Sequence, residues 1–158
     1  MPTSDSTTAT DDLPYEHTQP GYVTGPALAA GAAIAYFSHR AEHDTGDWVG
    51  LALTGGLAVG AVLFSSLTVR VDEEALQFYF GPGFWTRRIP LRDIRSAEPV
   101  RTSVWAGWGI RYTVRGWLYN VSGLGAVELT VRDEGRLRIG TDEPERLARV
   151  LERARPPA

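Results

Sequence analysis

The chain has 158 residues, with sixteen Arg, no Lys, no Cys and a formal net charge of −3. That length suits one ordinary domain with an appendage, and the missing Cys excludes disulfides, thiolate metal sites and a Cys nucleophile. The charge is split along the chain: up to residue 68 seven acids face the single Arg40, whereas fifteen Arg and twelve acids lie beyond it.

Residues 1–20 are rich in Ser, Thr, Asp and Pro. They hold too little apolar surface to offset chain entropy, so a disordered acidic tail is expected. No basic region precedes the first apolar stretch, which argues against a secretory signal. Trp48–Leu67 then runs for twenty residues without an ionisable group. As a helix this would cover about 30 Å, the thickness of a bilayer core. The Ala-rich stretch 22–38 is shorter and weaker, and the polar linker 39–47 would make the two antiparallel. Two transmembrane helices, about 22–38 and 48–67, are therefore expected within residues 21–68. Ala27, Gly31 and Ala35, like Ala52, Gly56 and Gly60, recur every fourth residue, a spacing that lets helix backbones approach closely. Because Arg70, Arg87 and Arg88 follow the second stretch, the positive-inside bias puts both termini in the cytoplasm of a multi-pass plasma-membrane protein.

From Leu67 the apolar period becomes two. Alternation at Leu67, Val69, Val71 and at Leu76, Phe78, Phe80 is followed by strand-like runs at 84–91, 94–101, 109–114, 117–121, 126–132 and 136–140. Gly81-Pro82-Gly83 and Asp133-Glu134-Gly135 mark turns. A final helix near 144–155 carries an apolar stripe at Leu147, Val150, Leu151 and Ala154, with Asp142 and Glu145 spaced as a capping box. Short strands closed by one amphipathic helix indicate an antiparallel barrel or sandwich over residues 69–155.

The strand pair around Val69–Asp72 and Leu76–Phe80, the segment FGPGFWTRRIPLRDIRSAEPV (80–100), WAGWGIR (105–111) and RLRIGTDEPERLARVL (136–151) resemble the bacterial pleckstrin-homology-like (PH-like) domain family. The likeness covers about residues 66–155. It implies a PH-like barrel or sandwich of about seven antiparallel strands with a C-terminal capping helix, no catalytic activity, and often a preceding transmembrane hairpin. Phosphoinositide binding is not carried over, since no such motif matches residue by residue.

Arg87, Arg88, Arg92, Arg95 and Arg101 form the densest basic run, and Arg111 is placed to join it from a neighbouring strand. With Trp85, Trp105 and Trp108 they define an expected surface for a partner protein or anionic lipid headgroups. The bland alternatives are a solvated strand face for the Arg and core packing for the Trp. His39 and His43 have i, i+4 spacing, but a polar connector explains them better than a metal site. All three His precede the β region, so no Ser–His–acid set can be built there. No Gly-rich phosphate loop is present, no cofactor is implied, and nucleic-acid binding is disfavoured. The expectation is a non-enzymatic, membrane-integral interaction module, with homo-oligomerisation left open. The alternative is a small accessory subunit of a membrane complex, recognised through its transmembrane helices.

Overall fold

A computed structural model describes residues 13–41, 48–103, 107–114 and 116–156, and every structural statement below concerns these. Nine strands form two sheets. The first has four strands, ordered β1-β2-β3-β4: β1 (Tyr15–Pro20), β2 (Ser66–Val71), β3 (Ala75–Phe80) and β4 (Trp85–Pro90). The second has five, ordered β5-β8-β9-β7-β6: β5 (Ile94–Arg101), β8 (Gly125–Val131), β9 (Gly135–Gly140), β7 (Gly116–Asn120) and β6 (Gly109–Thr113). All neighbours are antiparallel except β7 and β9, which run parallel. The expected run of about seven antiparallel strands in a PH-like barrel is therefore corrected to two sheets, one of them mixed.

β1 overturns part of the expected disordered tail. Tyr15 pairs with Val71 and Pro20 with Ser66, so the segment before the helices is an edge strand of the first sheet. It is also bonded to the turn that follows β7 of the second sheet. Gln19 donates to the Ser122 carbonyl at 2.9 Å, and Ser122 Oγ donates to the Pro20 carbonyl at 2.6 Å. The helices α1 (Thr24–Ala41) and α2 (Trp48–Leu63) thus form an excursion between two paired strands, not a leading appendage.

α1 and α2 pack against each other. A Cβ on Gly31 would lie 3.6 Å from Leu57, and one on Gly60 would lie 3.4 Å from Leu28, so the helices run antiparallel. No helix among the described residues is long and apolar enough to cross a membrane. α2 has 16 residues, about 24 Å at 1.5 Å per residue, short of a hydrocarbon core of about 30 Å. The apolar run outlasts the helix because the chain turns at Phe64–Ser65 and enters β2. α1 has 18 residues, but half of them are Ala or Gly and its last turn carries His39 and Arg40. The expected transmembrane pair is corrected accordingly, and with it the multi-pass plasma-membrane location and the cytoplasmic orientation derived from it.

The core lies between the sheets and beneath α3 (Pro144–Ala154). The inward faces follow the period-two pattern: Leu67, Val69 and Val71 on β2, Leu76, Phe78 and Phe80 on β3, Val127, Leu129 and Val131 on β8. α3 buries Leu147, Ala148, Val150 and Leu151 over β5 and β8. Burying each of its leucines contributes about 1.5–3 kcal/mol. The expected capping box does not form. Glu143 is the N-cap and makes no side-chain cap, because the Asp142 carboxylate turns instead to His17 on β1, 2.5 Å from Nε2.

Candidate functional site

The densest basic surface is assembled where β4 passes into β5. One 3-10 turn, Leu91–Asp93, makes the connection. Leu91 is buried and its N–H donates to the Glu74 carbonyl at 2.9 Å, which seats the turn and leaves Arg92 outside. Ile94 then pairs with Val131, and the register shifts before Ser96. Arg95 occupies that bulge and is exposed. A bulge re-aims side chains and interrupts pairing. Just past the neighbouring strand β8, the Arg132 N–H donates to the Asp93 carbonyl at 2.7 Å. Arg92, Arg95 and Arg132 are thereby held at one end of the β5–β8 pair.

The last turn of α3 completes this rim. Arg155 donates to the Arg95 carbonyl and pairs with Glu152 at 2.5 Å. Glu152 also accepts the Ala97 N–H at 3.1 Å. The helix C-terminus is itself favourable to cations through its partial negative charge. Beside the rim lies an open cleft of about 630 Å³, lined by Arg88, Arg92, Pro90, Leu91, Ala154 and Pro156 among others.

The arginines expected on one surface are distributed over several. Arg87 is half-buried, pairs with Glu134, and donates to Tyr119 Oη at 2.5 Å. Burial pushes the Tyr119 phenol up, and the Arg87 charge opposes that shift. Arg88 pairs with Glu74 at 3.1 Å and lies 3.8 Å from Asp72. Asp72 is held below the usual carboxylate range, first by the backbone N–H groups of Glu74 and Ala75 and further by the Arg88 charge. Arg101 is exposed at the far end of β5, six residues and so about 20 Å from Arg95. Arg111 lies on β6 beside Gly107, at the opposite edge of the same sheet. Only Arg92 and Arg95 of the expected set share the rim, with Arg88 alongside.

Trp85 packs on Phe78, Phe80 and Tyr119 and serves the core. Trp108 is half-buried, and Trp105 lies outside the described residues. Of the small helix residues, Gly31 and Gly60 face the companion helix. Ala27 and Ala52 are exposed, and Gly56 has no neighbour within 4 Å of a Cβ. Ala35 is half-buried, while Ala32, outside the fourfold pattern, is the residue the helices bury.

Arg132 and Arg155 join the rim without any local signal in the sequence. Both become neighbours of Arg95 through pairings distant along the chain, which spacing does not encode. The loop residues 42–47, with His43 and three acids, lie outside the described residues, and no group of three or more metal-ligating side chains occurs among the described ones. The chain matches no family model and no curated protein. The PH-like resemblance therefore rests on its motifs alone.

Proposed function

We propose that this protein is a non-enzymatic interaction module whose Arg92–Arg95–Arg132 rim binds an anionic partner, carried by a protein segment or by lipid headgroups. The observation that supports this is a contrast between arginines. Arg70, Arg87, Arg88, Arg136, Arg138, Arg146 and Arg155 are each matched by a nearby Asp or Glu. The side chains of Arg92, Arg95 and Arg132 make no such contact among the described residues, although all three are exposed at the same end of the β5–β8 pair. Guanidinium forks suit carboxylate and phosphate oxygens. Each basic group near an anionic surface contributes on the order of 1 kcal/mol. The test is binding of the full-length chain to a polyglutamate peptide and to vesicles with and without phosphatidylglycerol. Binding that falls with salt and disappears in Arg92→Glu/Arg95→Glu/Arg132→Glu supports the reading, and the anionic probe that binds identifies the partner's source. Binding unaffected by the triple change contradicts it.

A second reading makes the α1–α2 pair the recognition element, docking against a helix of another subunit. It is favoured by the exposed apolar side chains Ile34, Phe37, Leu51, Leu53, Val59 and Val62. It predicts that Leu53→Glu/Val59→Glu abolishes a native complex that the arginine triple variant leaves intact.

A further inference from the structure

A second surface, remote from the arginine rim, lies at the other edge of the five-stranded sheet. β6 occupies that edge. An edge strand presents backbone donors and acceptors in a row, and proteins commonly blunt such edges. The opposite edge, β5, is closed by α3: Glu152 accepts the Ala97 N–H and Arg155 donates to the Arg95 carbonyl. The outer strands of the first sheet are bounded by proline, Pro14 and Pro20 for β1 and Pro90 for β4. β6 contains no proline and leads into exposed apolar surface. Tyr112 is 73% exposed, Trp117 is 42% exposed, and Val114 is fully exposed.

These groups are rigidly supported. Trp85 stacks on Tyr119 at 5.2 Å, Tyr119 stacks on Trp117 at 6.2 Å, and Tyr112 meets Trp117 edge-on at 5.4 Å. The aromatic ladder of the core thus continues to the surface on the face shared by β6 and β7. Gly116 turns the hairpin at φ +104°, tight against the Arg136 carbonyl. An open cleft of about 370 Å³ lies beside it, lined by Tyr112, Val114, Trp117, Glu134 and Arg136 among others. A rigid aromatic ledge at a sheet edge fits strand addition: main-chain pairing supplies affinity, and alternate side chains supply specificity.

We propose that β6 accepts an extended strand from a partner protein, with apolar residues on the face of Tyr112 and Trp117 and an acidic residue opposite Arg111. Charge selects this occupant over a second copy. Two β6 strands paired about their midpoint would set Arg111 against Arg111, and like charges directly opposite are destabilising.

The probe is a synthetic heptapeptide of alternating Val and Glu, added to the full-length protein and followed by amide hydrogen exchange. The expected result is slowed exchange within Gly109–Thr113. A peptide with alternate N-methylated amides gives no slowing, and Tyr112→Ala weakens binding about tenfold. A Val–Lys peptide binds more weakly than the Val–Glu one. The proposal is overturned if millimolar peptide protects none of these amides, if protection falls on β1 or β4 instead, or if the methylated peptide works equally well. It is also overturned if β6 becomes protected with rising protein concentration alone, which assigns the edge to a second copy.

Discussion

At the residue scale, single groups show how strongly the fold constrains its chemistry. Gly116 combines a positive φ with a backbone approach that leaves no room for a side chain. Gly116→Ala is expected to destabilise the protein by about 2 kcal/mol or more, read from urea unfolding. Asp72 closes the β2–β3 turn by accepting the N–H groups of Glu74 and Ala75 at 2.8 and 2.7 Å. Its folded pKa is depressed, so its stabilising contribution is present above the ordinary Asp value of about 3.9 and is lost as pH falls below it. A carbon-detected titration should show its carboxyl still ionised where ordinary Asp residues protonate. The Tyr15 and Tyr119 phenols behave oppositely. Burial raises both, and the Glu143 carboxylate adds to the shift at Tyr15. Their contribution is present below about pH 10 and is lost as pH rises beyond it. Alkaline unfolding monitored by tyrosinate absorbance tests this.

At the element scale, the alternating faces of β2, β3, β8 and β9 were legible because period two is a local property. Leu67, Val69, Val71, Leu137 and Ile139 are buried where the alternation places them. β1 was not legible. Its polar residues signal a strand only once β2 is beside it, and β2 follows both helices. The apolar run 48–67 misled for a related reason. Hydropathy is continuous through Phe64 and Leu67, but the backbone leaves the helix there: Ser65 accepts the Gly21 N–H at 2.7 Å, and Phe64 meets Phe80 edge-on at 5.4 Å. The helix pair also yields a discriminating prediction. Gly60→Leu pushes into Leu28 and should destabilise the pair, whereas Gly56→Leu meets nothing within 4 Å and should be nearly neutral. At the β5 edge, Glu152→Ala removes the acceptor of the Ala97 N–H and should cost about 1 kcal/mol.

At the scale of the whole molecule, two sheets are tied together by β1, by the helix excursion and by α3. Thr24 Oγ1 donates to the Val121 carbonyl at 2.7 Å, so the start of α1 is fastened to the second sheet. His17 and Asp142 join the opposite ends of the chain. The arginine concentration was visible in the sequence, but its division was not. Arg87 and Arg88 adjoin in sequence yet pair with different acids on different elements, Glu134 and Glu74. Arg132 joins Arg92 and Arg95 only through the β5–β8 register. The arginine rim is therefore an arrangement that folding creates.

Its most direct test is the salt dependence of full-length protein binding to a polyglutamate surface and to a phosphatidylglycerol surface, compared with Arg92→Glu/Arg95→Glu/Arg132→Glu. The account predicts that the wild type binds at least one of them with affinity that falls steeply as salt rises, and that the triple variant loses this binding while unfolding at the same urea concentration. Equal binding and equal salt dependence in the two proteins would contradict it.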